Sequence, residues 1–159
     1  MKAIQIHIYS DGGYFEKQNI GGWGAVIFKN NQEHMRLSGW QKITSSLEME
    51  LTAACKALQQ LKKNSPPLST KNRFPSHITL FTDSRILIEG VQHKIQLWRQ
   101  NRWVHKSGNL VKYQTLWETL DQLTQEHNVT WQWVKGHNGD LGNELADQLA
   151  REAITERNS

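Results

Sequence analysis

Two stretches of alternating residues each run into an aspartate, and a long amphipathic segment lies between them. Ile4, Ile6 and Ile8 alternate with polar positions up to Asp11, and Ile78, Leu80 and Thr82 alternate with Thr79, Phe81 and Asp83. A period of two buries one face of a strand. Between them Leu47, Leu51, Ala54, Leu58 and Leu61 form one helical stripe to about Lys63, with Ser45 or Ser46 as the N-cap. Strand, long helix, strand is a crossover unit, so the two strands should lie parallel in one sheet. Ligands of such sheets gather beyond the carboxyl ends of the strands, where both Asp11 and Asp83 would stand. Gly12 and Gly13 after the first strand, about Lys2 to Asp11, free the chain to turn where the carboxylate emerges.

The remaining elements fit around that unit. After a polar loop at Glu16 to Asn19, the run from Gly21 to Phe28 reads as a strand buried on both faces, turned by Asn30-Asn31 into a third strand around His34 to Trp40. Short links make this an antiparallel meander. Pro66, Pro67 and Pro75 mark a surface connection between Asn64 and Ser76, and Lys62, Lys63, Lys71 and Arg73 read there as a solvated basic loop. A short helix should run from Asp83-Ser84 to Gly90 as its terminator, and a second should carry Val91, Ile95 and Trp98. A third spans roughly Lys112 to Glu126 with Leu116, Leu120 and Leu123 inward, and Val129 to Val134 forms a last strand with Trp131 and Trp133 on one face. The final helix begins near Asn143 as N-cap, with Leu145, Leu149 and Ala153 on one side and Asp147, Ala150 and Ile154 on an adjacent one. The expectation is an α/β chain forming a single domain over residues 1–159.

Four acids then call for a common explanation. Glu50 lies three residues after Leu47 and four before Ala54, so it shares the inward side of its helix, whereas Glu48 points elsewhere. Asp147 is semi-inward in the same way. Gathering Asp11, Glu50, Asp83 and Asp147 in one cleft is repulsive unless cations neutralise them, and hard oxygen ligands select Mg²⁺ or Mn²⁺. Two such ions roughly 3.5 to 4 Å apart can clamp the attacking and leaving oxygens of an in-line phosphoryl displacement. Of seven histidines, His137 stands where chemistry could use it, in a glycine-bounded loop.

Charge points the same way. Nineteen Lys and Arg against fifteen Asp and Glu, with a pI near 9.3, suit a polyanionic partner. Gly90 to Trp117 contains no acid but holds Lys94, Arg99, Arg102, Lys106 and Lys112 among Trp98, Trp103 and Tyr113, a composition that can grip a nucleic-acid backbone. Trp98 and Tyr113 are assigned to the core and Trp103 to the contact surface. Cys55, the single cysteine, falls beside Leu51 and Leu58 and reads as a buried structural thiol. No run approaches a membrane span, so the expectation is a soluble, cytoplasmic protein.

The segments Tyr9-Ser10-Asp11-Gly12-Gly13, Glu48-Met49-Glu50-Leu51-Thr52-Ala53-Ala54, Phe81-Thr82-Asp83-Ser84 and the run from Trp133 through His137 and Asn143 to Asp147 resemble, in order, the type 1 ribonuclease H family. The last is the most specific. The resemblance implies a five-stranded mixed sheet flanked by helices, and endonucleolytic hydrolysis of the RNA strand of an RNA/DNA hybrid, leaving a 5′-phosphate and a 3′-hydroxyl. It implies that Asp11 bridges two Mg²⁺ ions, with Mn²⁺ able to substitute, that Asp147 completes one site and Glu50 with Asp83 the other, and that His137 assists proton movement or product departure. It makes the segment from Arg99 to Lys112, with Arg102, Trp103 and Lys106, a substrate-gripping handle. Gly12, Gly13, Ser45, Ser46, Arg85 and Asn143 are the further residues expected to meet the hybrid. A free-standing monomer is expected.

Departures from the family pattern cluster on substrate reading. Gly13 replaces a common Ser, Phe15 to Asn19 replaces a loop rich in glycine and proline, and Lys94 stands where some members have another Trp. Ser46, Leu47 and Glu48 stand where paired asparagines and a basic or neutral residue are usual. Leu47 cannot hydrogen-bond through its side chain, and Glu48 adds negative charge near a polyanion, which predicts weaker binding or altered cleavage preference with the chemistry intact. The alternatives are another nuclease or transposase of the same fold superfamily, and a hybrid-binding module without catalysis.

Overall fold

The computed structural model describes residues 4–64, 76–136 and 139–157. Its elements are β1 (Ile4–Phe15), β2 (Ile20–Lys29), β3 (Gln32–Lys42), α1 (Ser46–Asn64), β4 (Ser76–Thr82), α2 (Arg85–Glu89), α3 (Ile95–Gln100), α4 (Gln114–His127), β5 (Val129–Trp133) and α5 (Leu141–Glu156). The five strands form one sheet in the order β3-β2-β1-β4-β5. The first three are antiparallel, and β1, β4 and β5 are parallel, as the crossover reading requires. Asn30 and Asn31 both take the left-handed conformation, φ 49° and 67°, which matches a tight hairpin turn to the strand twist.

Alternate residues of the strands face two different helical layers. Ile6, Ile8, Ala25, Ile27, Ile78 and Leu80 meet Leu51, Ala54 and Leu58 of α1 and Trp117, Leu120 and Leu123 of α4 in the main core. Cys55 lies in this layer, 3% exposed, with its thiol pushed up to about 12 by burial. The opposite residues of β2 face α5. A Cβ on Gly22 would stand 2.1 Å from the Ala150 carbonyl oxygen, and one on Gly24 would stand 2.5 Å from that of Ala146. Glycine there lets the helix backbone lie directly on the strand.

That contact corrects the expected face of α5. The buried positions are Gly142, Asn143, Ala146, Ala150, Ala153 and Ile154, so the side of Ala150 and Ile154 is the more deeply buried one, while Leu145 and Leu149 are half-buried, Leu149 still lying against Gly24 through its Cβ. The N-cap is Asp140, whose carboxylate accepts the Asn143 backbone N–H at 3.0 Å, and Asn143 itself is buried in the first turn. Two glycine expectations also change. β1 does not turn at Gly12 and Gly13 but runs on, pairing them with Trp23 and Gly22. α2 does end at Gly90, its C-cap, but the glycine keeps right-handed helical backbone and the chain runs straight on into a wide π-turn (Gly90–Lys94); a Cβ there would stand 2.3 Å from the Trp117 ring. The Pro66, Pro67 and Pro75 connection, with Lys71 and Arg73, lies outside the described residues.

Candidate active site

Strand register brings the first two acids together. The parallel pairing of β1 and β4 ends with Tyr9 beside Phe81, their rings stacked at 4.5 Å. Asp11 and Asp83 each lie two residues further, so period two sends both side chains to the same face, side by side. α1 delivers the third. Its N-cap is Ser45, whose hydroxyl accepts the Glu48 N–H at 3.1 Å, and the helix crosses β1 so closely that a Cβ on Gly12 would stand 2.5 Å from the Glu50 nitrogen. This close approach, not a turn, is what requires glycine after Asp11.

The result is a compact group. Carboxylate oxygens of Asp11, Glu50 and Asp83 lie within 4.8 Å of one another, and both Asp11 and Glu50 are only 6% exposed. Asp147 joins them in the wall of an open cleft of about 610 Å³ together with Ser46, Leu47, Arg85 and Trp133. Burial, then the neighbouring charge of Asp83, pushes the Asp11 carboxyl up to about 8. Glu50 is raised well above the carboxylate range by burial and by the charges of Asp11 and Asp83. One Glu50 oxygen, Oε2, is buried with no hydrogen-bond partner. A divalent cation would answer both conditions, since it neutralises the crowding and coordinates the orphaned oxygen. The donor set therefore fits Mg²⁺ or Mn²⁺.

Around the acids, Trp133 anchors one wall: its indole N–H donates to the Asp83 carbonyl at 3.3 Å, and the Arg85 guanidinium lies 3.9 Å over its ring. A Cβ on Gly136 would meet Asp83 Oδ2 at 2.8 Å, so the chain passes the cleft just before His137, which lies outside the described residues. Gly13 faces open space, and Ser46 lines the cleft. The Ser45 hydroxyl is engaged by Tyr113 as well as by Glu48. Glu48 also has partners that its sequence position did not signal, accepting from Thr44 Oγ1 at 2.8 Å and Gln41 Nε2 at 3.0 Å.

In the acid-free segment, Arg102 and Lys106 are exposed, and Arg99 reaches Asp121 at 3.4 Å. Trp103 reverses its expected role. It is 7% exposed and packs at 5.8 Å against Trp98, which is the less buried of the two and in turn meets Trp117. Left-handed backbone at Arg102 and Trp103, φ 56° and 62°, folds the Trp103 ring inward, a device that apolar spacing cannot reveal.

The sequence is 43% identical to the ribonuclease H of Francisella philomiragia subsp. philomiragia over 98% of this chain and 94% of that one, and 41% identical, with the same coverage, to that of Francisella tularensis subsp. novicida. Among solved structures the fold resembles LC9-RNase H1, a type 1 RNase H with the type 2 active-site motif, at a TM-score of 0.78 and 24% identity, covering 98% of this chain and 74% of that one. It also resembles LC11-RNase H1, solved in complex with an RNA/DNA hybrid, at 0.71 and 22%, covering 97% and 99%. The sequence model of the RNase H family matches residues 3–155. With that match over nearly the whole sequence, and relatives above 40% identity covering almost all of it, the chain belongs to the ribonuclease H family.

Proposed function

We propose that the protein is an endonuclease that hydrolyses the RNA strand of RNA/DNA hybrids with two divalent cations, Mg²⁺ or Mn²⁺, leaving a 5′-phosphate and a 3′-hydroxyl. The observation that carries this is the convergence of Asp11, Glu50 and Asp83 within 4.8 Å, with one buried Glu50 oxygen unpartnered. The hybrid bound to LC11-RNase H1 supports the choice of substrate. All four acids rise from one sheet and the helices packed on it, which supports reading residues 1–159 as one catalytic domain.

Asp11, central in the group, would be the shared ligand, with Glu50 and Asp83 on one side and Asp147 on the other. When bound, such cations supply Lewis acidity and charge neutralisation for in-line displacement at phosphorus. A water oxygen becomes attached to phosphorus, the bond to the 3′-oxygen breaks, and the leaving oxygen takes a proton. His137, next in the chain after Gly136, is the residue suited to carry that proton near neutral pH. Arg85, held over Trp133 at the rim, would take a phosphate of the bound strand, and Arg99, Arg102 and Lys106 would grip the backbone further out. Selection of RNA requires contact with the 2′-hydroxyl, for which the backbone at Gly12 and Gly13 and the Ser46 hydroxyl are the groups at hand.

The test is incubation of labelled hybrid, double-stranded RNA and duplex DNA with Mg²⁺, Mn²⁺ or chelator, beside Asp11→Asn. Metal-dependent cutting of only the RNA of the hybrid, lost in the variant, is expected. Cutting of duplex DNA would assign a different nuclease of the superfamily, and binding without cutting would leave a hybrid-binding module.

A further inference from the structure

The four acids are not equivalent. Asp11, Glu50 and Asp83 form the compact group, while Asp147 lies outside that 4.8 Å set, still interacting with Asp11, and has one oxygen already taken: Asp147 Oδ2 lies 2.8 Å from Arg151 Nη2, one helical turn further along α5. The Asp147 side chain is 19% exposed and that of Arg151 is 65% exposed, so the guanidinium reaches inward from solvent to the rim of the cleft. From this geometry we infer that Arg151 is a positioning residue that sets the order of cation loading. The side built by Asp11, Glu50 and Asp83 fills first; the Asp147 side fills second and more weakly, because its carboxylate is shared with a fixed positive charge.

The inference rests on the two-cation reading above and assigns that reading an asymmetry. Two physical effects act together. A guanidinium beside Asp147 repels a divalent ion directly, and its hydrogen bond withdraws one of the two carboxylate oxygens from coordination. An acid four residues before an arginine is also an ordinary helix-stabilising pair. That bland role would leave cation affinity untouched, so affinity is the quantity to read.

The experiment is titration of the full chain with Mn²⁺, without nucleic acid, followed by calorimetry and by the paramagnetic signal of free Mn²⁺. Wild type should show a tight and a weak event, and Asp147→Asn should delete the weak one. In Arg151→Gln the weak event should tighten on the order of tenfold while the tight one hardly moves. Arg151→Lys should stay near wild type. Arg36→Gln, which removes the same charge from an exposed pair with Glu33, should change neither event. The inference is overturned if Arg151→Gln leaves the weak event where it was, if both events tighten alike, or if Arg36→Gln reproduces the effect. A wild type that binds no Mn²⁺ would overturn the two-cation reading itself, an outcome distinct from these.

Discussion

The hydroxyls of Ser45 and Tyr113 lie 2.6 Å apart and join positions 68 residues apart in the chain. Ser45 caps the helix that carries Glu50, and Tyr113, in the left-handed conformation at φ 63°, closes the acid-free basic segment just before α4. A single hydrogen bond therefore ties the arm proposed to grip the substrate to the element that sets an acid. Tyr113→Phe should cost about 0.5–1.5 kcal/mol of stability. It should raise KM for hybrids long enough to reach the arm while leaving kcat near wild type. Steady-state kinetics on long and short hybrids, beside a denaturant melt, checks this; equal effects on both lengths would break the link.

Crowded acids predict a pH dependence in the cation-free protein. The Asp11 carboxyl has a usual value of 3.8 and is pushed up to about 8 in the fold, so between those limits the native state holds a proton that the unfolded chain has lost. Stability from this group is complete below about pH 4 and declines as pH rises through about 8. Thermal melts in chelator should show that decline, and Asp11→Asn should flatten it and melt higher at pH 8. Each kcal/mol recovered shifts the midpoint by about 2–4 °C in a chain this size. Added Mg²⁺ should restore the wild type but not the variant.

Glycine at two sites in the same sheet should behave in opposite ways. Gly22→Ala drives a methyl into the Ala150 carbonyl and should destabilise by about 3 kcal/mol or more, with loss of activity as α5 and Asp147 are displaced. Gly13→Ala meets nothing within 4 Å and should leave the melting midpoint nearly unchanged. Parallel melts and hybrid-cleavage rates test both.

Leu47 and Glu48 should separate affinity from stability. Leu47 lines the cleft but also packs half-buried against the core, so Leu47→Asn should tighten hybrid binding while giving up part of that apolar contact. Glu48→Arg should also tighten binding, but it leaves Thr44 and Gln41 without their acceptor and should cost about 1–3 kcal/mol. Affinity measured across salt, with a melt of each variant, decides this; unchanged binding in the double variant would remove these positions from substrate reading.

Cys55 should stay silent in the native state. Burial at 3% exposure and a thiol pushed up to about 12 predict labelling by a thiol reagent at pH 8 only on the timescale of unfolding. Rapid labelling of folded protein would contradict the core packing.

The features legible in the sequence were those set by a single periodicity. Alternation in β1 and β4, the helical stripe of α1 and the inward side of Glu50 each follow from neighbours along the chain, and together they bring three acids to one place. The misses share a cause, since each depends on how closely a distant backbone approaches. Gly12 and Gly90 looked like punctuation but make room for α1 and Trp117. Of the two adjacent sides of α5, that of Ala150 and Ile154 sits deeper than that of Leu145 and Leu149, because Gly22 and Gly24 let the helix backbone approach. Trp103 joins Trp98 against the core because left-handed backbone, absent from any apolar count, turns its ring inward.

The order of the acids along the chain has a bearing on synthesis. Three of them lie before α2, whereas Asp147 arrives on α5, which is seated on β2 through the close approach at Gly22 and Gly24. On the reading proposed here, a nascent chain whose α5 is still inside the ribosome lacks its fourth ligand and cannot cut an RNA/DNA hybrid until that helix has emerged.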